Sequence, residues 1–381
     1  MNKLLTASLL IAGLSSTTQA ASIDEAFKNG STSGQLRFGY ISLSPDAAGS
    51  QTTTGAAIGG ELKFETAKWN NFQLAFAPYF SENIDILSGD TTTGKLNTDF
   101  LSRRGTSFAY LAEAYVHYEF NNGFIRLGRQ KLDNPFINTD DIRMFSNTFS
   151  AGWLNVNLSK SLTLEAGHVN TWAGFDSEKD LFSKASDEGV SALGLNYKHS
   201  ENLSTQGWYY HFDQNYSLLY ADMSYSMGKL ELAAQFGSYS EDNSSGTDGS
   251  VVGASITYSI GPFTLSAVMN SGSNDDGKSA DLGLGGGNYY AAMDESTISG
   301  LNDAEAYVLS VEYAASDSFT AAVAAGHFEN NDQSTRIDET NLILGYSVSD
   351  SLNLELIHTT VDDAGSANDF SRQTARVTYS F

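Results

Sequence analysis

The chain of 381 residues contains no cysteine, only four prolines and few basic residues. Without cysteine it has no disulfide framework. Its 21 Lys and Arg against 45 Asp and Glu leave a net charge of -24, which argues against nucleic acid as a partner because a phosphate backbone requires clustered cations. The scarcity of proline beside 35 Gly, 19 Tyr and 22 Phe favours one large all-β domain over a disordered chain.

Long hydrophobic runs are also missing. The apolar segment at 4–14 has roughly 11 residues, too few for a membrane helix, which needs about 20. Lys3 before this segment and the small-residue site ending at Ala20 identify residues 1–20 as a signal peptide. We therefore expect residues 21–381 to be exported as a single domain, which without a membrane helix is soluble, surface-attached or a β-barrel.

Apolar and polar residues alternate through most of the remaining chain. The final segment places Ala375, Val377, Tyr379 and Phe381 on one face of a strand and polar residues on the other. A period near two, repeated over segments of about ten residues, is typical of transmembrane barrels. A secreted sandwich, propeller or β-helix would also alternate. However, the polar faces carry too little apolar material for a second packed layer.

The fold class predicted from this pattern is all-β, a transmembrane antiparallel up-and-down β-barrel of about 18 strands with both termini in the periplasm. One miscounted hairpin would give 16. Short turns alternate with long polar loops, which we expect outside the cell, at 81–108, 132–147, 172–187 and 272–303. Acidic pairs such as Asp275-Asp276 and Asp362-Asp363 then place negative charge at the extracellular rim. The predicted strands are residues 34–43, 56–69, 71–80, 109–120, 122–131, 148–159, 161–171, 188–198, 202–212, 215–227, 229–240, 250–260, 262–271, 304–314, 318–329, 338–348, 351–361 and 370–381.

The segment from Gly123 to Phe149 is the most specific local stretch. Its sequences Leu127-Gly128-Arg129-Gln130, Thr139-Asp140-Asp141-Ile142-Arg143 and Asn147-Thr148-Phe149 resemble the OprD-type family of outer-membrane porins. The resemblance is strong over about 110–172 and is architectural elsewhere. It implies an 18-stranded barrel whose third loop folds inward and narrows the pore.

Carried over by position, that constriction loop is 132–147, with Asp140, Asp141 and Arg143 at its centre. The resemblance also implies basic side chains along one side of the channel, which guide small, often carboxylate-bearing solutes. The neighbouring wall would then hold Arg126 and Arg129.

Strand parity gives an independent set of pore-lining residues. Arg126 has inward parity, whereas Arg129 has lipid-facing parity and must lie above the apolar band or follow a bulge. Two interpretations stay open: the inward cations form a basic stripe, or they pair with carboxylates such as Glu61, Glu65, Glu113 and Glu119 and keep the pore wet. With nine arginines and an acidic mouth, the sign of ion selectivity is open. The further inward-facing residues are Arg37, Lys63, Glu113, His117, Arg372 and Arg376.

The predicted function is passive diffusion of ions and small hydrophilic solutes, carboxylate-bearing or dipolar ones among them, through a water-filled outer-membrane channel. The alternative is a structural or adhesive surface barrel that binds cations or a partner through acidic loops. An enzyme is not expected, because no nucleophile–base pair or acidic dyad stands out. We expect no cofactor or metal site: the six histidines are not spaced as ligand pairs, and the glycines at 282–287 suggest a flexible loop.

The expected location is the outer membrane of a Gram-negative bacterium. The expected partners are the lipid bilayer, lipopolysaccharide, small solutes and the barrel-assembly machinery, which would read the C-terminal strand ending at Phe381. A monomer and a homotrimer both fit the pattern.

Overall fold

The structure is a computed structural model that describes residues 19–274, 277–330, 334–364 and 368–381. Within these residues lie nineteen strands, and eighteen of them build one closed antiparallel barrel. The strands are β1 (Ser31–Pro45), β2 (Thr53–Glu65), β3 (Phe72–Asn83), β4 (Phe108–Phe120), β5 (Gly123–Gln130), β6 (Thr148–Asn157), β7 (Leu162–Gly174), β8 (Lys179–Lys184), β9 (Val190–Lys198), β10 (Leu203–Phe212), β11 (Tyr216–Met227), β12 (Leu230–Glu241), β13 (Gly249–Ile260), β14 (Phe263–Ser273), β15 (Glu305–Ser316), β16 (Phe319–Glu329), β17 (Arg336–Ser349), β18 (Leu352–Ala364) and β19 (Phe370–Ser380).

The barrel closes where the first and last strands meet. β1 pairs with β2 on one side and with β19 on the other, with Leu36 opposite Tyr379 and Tyr40 opposite Ala375. Closure leaves no barrel strand with an unpaired edge in lipid, where unsatisfied backbone groups are costly. The short strand β8 pairs only with the outer end of β7, which also pairs with β9. The predicted barrel of eighteen antiparallel strands is confirmed.

Because residues alternate along each strand, the barrel has an outer and an inner face with different side chains. Tyr209 and Leu219 are half exposed, whereas the neighbouring Tyr210 and Tyr220 are fully buried inside the barrel. The exposed apolar side chains form the band that faces acyl chains. Aromatic residues near the short-turn ends of the strands form a girdle along that edge of the band: Tyr118, Tyr197, Tyr225, Tyr258, Phe263, Tyr313, Tyr346 and Tyr379.

Two short helices complete the secondary structure of the described residues. Helix α1 (Ile23–Lys28) precedes β1, and a 3-10 turn spans Thr91–Thr93. Neither is long and apolar enough to cross a bilayer.

Two connections fold into the barrel, not one. The first inward loop (residues 132–147) contributes Leu132, Phe136 and Ile137 to the large buried core on the inner side of β6–β16. The second inward loop (residues 277–304) contributes Leu284, Tyr289, Met293, Ile298 and others to the same core. The expectation that 272–303 is an external loop is therefore wrong for this part of it. Asp275 and Asp276 lie outside the described residues.

The two inward loops are joined by backbone hydrogen bonds. The Asn138 amide donates to the Leu284 carbonyl at 3.0 Å, and the Leu284 amide donates to the Phe136 carbonyl at 2.9 Å. Gly283 and Gly285 have φ values of +73° and +126°, and a Cβ at either would collide with the chain at 136–138. The glycine run predicted to be a flexible loop instead permits this close approach.

Candidate pore constriction

The first inward loop is tied to the barrel wall through Arg37. Arg37 projects inward from β1, and its guanidinium donates to both carboxylate oxygens of Asp141, at 2.9 and 3.0 Å. Its Nε also donates to the Thr378 hydroxyl at 3.2 Å, on the strand that closes the barrel. Because Arg37 is almost completely buried, this two-pronged ion pair fixes the loop against the β1–β19 seam.

Three more arginines complete the same cluster. Arg376 donates through Nε to Glu355 at 2.8 Å and through its guanidinium to the Ile142 carbonyl at 2.6 Å. Arg143 and Arg372, both buried, share the carboxylates of Asp294 and Glu295 from the second inward loop. Arg143 also lies 3.6 Å from Asp99.

The positive charge of the cluster is fully countered, because four guanidinium groups face five carboxylates, which leaves one excess negative charge. Burial alone would raise the pKa of Asp141, but the adjacent Arg37 outweighs it and holds the pKa well below its usual range. Burial likewise opposes ionisation of Asp294, whereas Arg372 and Arg143 lower its pKa. Both loop carboxylates are therefore ionised at neutral pH, and they mask much of the positive charge on the wall.

The remaining inward residues form a second polar group on β2–β5. Lys63 lies 3.3 Å from the buried carboxylate of Glu113 and 3.5 Å from Glu65. The Tyr79 hydroxyl donates to Glu113 at 3.0 Å. His117 packs on Phe124 with ring centroids 4.9 Å apart, and it lies opposite Arg126 in the β4–β5 register.

Arg126 and Arg129 lie on opposite faces of β5. Arg126 stacks over Tyr115, at 4.5 Å from the ring centroid, and among the described residues no carboxylate is within ion-pair distance of it. Arg129 instead lies on the outer face beside the exposed Leu127, donates to the Leu111 carbonyl and stacks on Phe182 of β8. The expectation that Arg129 lines the pore is therefore corrected, and Phe182 covers its charge near the outer end of the strand.

Asp140, Asp141 and Arg143 lie in the first inward loop, and Asp140 has a positive φ of 33°. Asp294, Glu295 and Glu339 were missed by sequence reasoning. The Glu339 carboxylate accepts the backbone amides of Asp294 and Glu295 at 3.0 and 3.2 Å, which ties the second inward loop to β17. The available signal was Tyr289, Ile298 and Leu301, apolar residues that an external polar loop would not require.

A wide closed barrel narrowed by charged inward loops defines the class of a diffusion channel. A family model described as "outer membrane porin, OprD family" matches residues 83–316, which is more than half of the chain. The chain belongs to the OprD family of outer-membrane porins, and it forms a channel for small solutes. The alternative of a structural or adhesive surface barrel is not favoured. Among curated proteins no significant match is found.

Solved structures of similar porins share the fold at low sequence identity. A BenF-like porin from Pseudomonas fluorescens Pf-5 superposes with a TM-score of 0.81 at 15% identity, covering 93% of this chain and 99% of that one. OccAB4 from Acinetobacter baumannii superposes with a TM-score of 0.79 at 16% identity, covering 93% of this chain and 98% of that one. OpdK from Pseudomonas aeruginosa, solved with vanillate, superposes with a TM-score of 0.77 at 17% identity, covering 93% of this chain and 99% of that one.

Proposed function

We propose that this porin favours small carboxylate-bearing or dipolar solutes, and that Arg126 is its principal contact for the solute carboxylate. Each arginine of the constriction already faces protein carboxylates. Arg126 is the cation on the inward face of β5 that lacks such a partner within the described chain, which is the observation that carries the proposal. The vanillate in the similar OpdK structure is itself a carboxylate and is consistent with this substrate class.

The surroundings of Arg126 suit transient binding. Its Nε is buried without a hydrogen-bond partner, and the rings of Tyr115 and Phe124 lie under the guanidinium at 4.5 and 5.3 Å. The rings fix the guanidinium without neutralising it. An anion in a wet pore about 4 Å from such a charge gains on the order of 1 kcal/mol, enough to attract it and weak enough to release it.

The test compares two neutralising substitutions on one strand. In planar bilayers under a KCl gradient, Arg126→Gln is expected to lower anion-over-cation permeability by up to about fivefold, the equivalent of 1 kcal/mol. The same comparison with potassium acetate in place of KCl measures a carboxylate directly. Arg129→Gln removes an equal charge from the outer face of β5 and should leave both reversal potentials unchanged. Equal effects of the two variants would overturn the assignment.

We further propose that residues 1–20 act as a signal peptide, and that the barrel-assembly machinery recognises the strand ending at Phe381, with lipopolysaccharide surrounding the outer rim. The exposure of the Phe381 ring supports the second of these, since the side chain is 46% exposed while its backbone amide pairs with Gly34. The other lumen residues, Lys63, Glu113, His117, Asp140, Asp141 and Arg143, are proposed to shape the aperture and the field within it.

A further inference from the structure

Helix α1 carries an exposed apolar face outside the barrel. Its N-cap is Ser22, whose hydroxyl accepts the Glu25 amide at 3.2 Å. Ile23 and Phe27 are four residues apart and so share one face of the helix, yet they are 50% and 44% exposed. Asp24 and Lys28, also four apart, occupy another face. The helix is short and amphipathic, and the part of the chain that the structure describes leaves its apolar side about half exposed.

The helix is held at the periplasmic edge of the lipid-facing surface. The Ala67 amide, in the turn between β2 and β3, donates to the Ala26 carbonyl at 2.9 Å. The Phe27 ring stacks on Phe64 of β2, with centroids 6.2 Å apart and planes inclined by 18°. Phe64 is paired in register with Phe76 of β3, an exposed member of the lipid-facing band. The apolar face of α1 is therefore continuous with a surface whose solvent is lipid.

We propose that α1 is an interfacial anchor, with Ile23 and Phe27 inserted at the headgroup–acyl boundary of the inner leaflet and Asp24 and Lys28 in the periplasmic water. An amphipathic helix in the interface plane buries its apolar face by several ångströms, at the level that aromatic girdles occupy. Lipid is favoured over a protein partner because Phe27 extends the aromatic surface formed by Phe64 and Phe76 at the same edge of the barrel.

The sequence contains no cysteine, so a single introduced cysteine can be labelled selectively with a nitroxide spin label. Ile23→Cys and Phe27→Cys would be compared with Asp24→Cys and Lys28→Cys in phosphatidylcholine nanodiscs, which are open on both faces. The probes are molecular oxygen, which concentrates in lipid, and a water-soluble nickel chelate. Leu127→Cys, in the middle of the lipid-facing band, provides the lipid reference.

The expected result is an oxygen-to-nickel collision ratio several-fold higher at 23 and 27 than at 24 and 28, approaching the ratio at 127. Equal, water-like ratios at all four helix positions would overturn the proposal. Protection of 23 and 27 from both probes would also overturn it, because it would show that a second protein surface covers the helix. Channel recordings of the same variants confirm that each barrel is folded, so a negative result is not a folding defect.

Discussion

Arg126 and Arg129 are three residues apart on β5, yet one faces the lumen and the other lies on the outside under Phe182. An odd spacing on a strand reverses the face of the side chain, so parity predicted this separation. Parity could not show that Arg37 and Arg372 are neutralised, because their carboxylate partners come from inward loops distant in sequence. At the residue scale, the face of the strand on which a charged side chain lies was predictable, and its ion-pair partner was not.

Breaking the pair between Arg37 and Asp141 should loosen the first inward loop. Asp141→Asn leaves a buried guanidinium without its counter-charge, at a cost of about 1–3 kcal/mol to the closed loop position. The expected result in single-channel recordings is a larger and noisier open-state current. Asp140→Asn removes the same charge one residue away without removing the Arg37 carboxylate partner. The proposal for this ion pair fails if the two variants behave alike.

The same pair should resist acid. The pKa of Asp141 is lower in the folded protein than in the unfolded chain, where it is about 3.9. Its ionised form therefore stabilises the folded state fully at any pH above about 3.9, and this stabilisation is lost only as the pH falls towards the pKa of the folded state. Wild-type open-state current should therefore keep its low noise from pH 7 down to about pH 4, while Asp141→Asn is already noisy at pH 7. Wild-type recordings that come to resemble the variant at pH 5 would contradict this expectation.

At the scale of elements, all eighteen barrel strands were predictable because alternation is a local property of the sequence. The inward course of residues 277–304 was not. Its glycines resemble those of a flexible loop, and only contact with Phe136 and Asn138, nearly 150 residues earlier, reveals why Gly283 and Gly285 are there. Strand β8 and helix α1 were missed because each is six residues long, too short for a periodic pattern to emerge.

The second inward loop sets how much wall charge a solute meets. Neutralising it with Asp294→Asn and Glu295→Gln together should unmask Arg143 and Arg372, and thereby shift the reversal potential under a KCl gradient towards anion preference. Asp303→Asn alters a carboxylate of the same loop that accepts the Asn274 amide away from these arginines, and should have little effect. A shift towards cations in the double variant would refute this view of the loop.

At the scale of the whole molecule, stability in the membrane depends on closure between β1 and β19. Their ladder runs from Gln35 opposite Ser380 to Pro45 opposite Phe370. The ladder also carries Arg37, Arg372 and Arg376, so the seam that closes the barrel holds both inward loops. Closure was predictable from the even strand number, whereas this double use of the seam depends on side-chain contacts that the sequence does not display.

Deleting residues 370–381 should abolish the folded barrel. Removal of β19 exposes the edges of β1 and β18 to lipid, at a cost of several kcal/mol for each unsatisfied backbone group. Refolded wild-type protein should migrate differently in SDS gels with and without heating, and the truncated chain should not. Phe381→Ala is the control: it retains the backbone pairing with Gly34 and should refold in vitro with the normal mobility shift. A truncated chain that still shows the shift would contradict the closure argument.

The alternating faces of each strand have one further consequence. Side chains on the outer face of the barrel contact the membrane, whereas side chains on the inner face contact the inward loops and the solutes in the pore. The large core beneath β6–β16 occupies much of the interior on one side, while the basic wall residues lie along the arc formed by β19, β1, β2 and β5. The width of the pore is therefore not fixed by the circumference of the barrel. Mutation could retune what passes through it without altering how it sits in the bilayer.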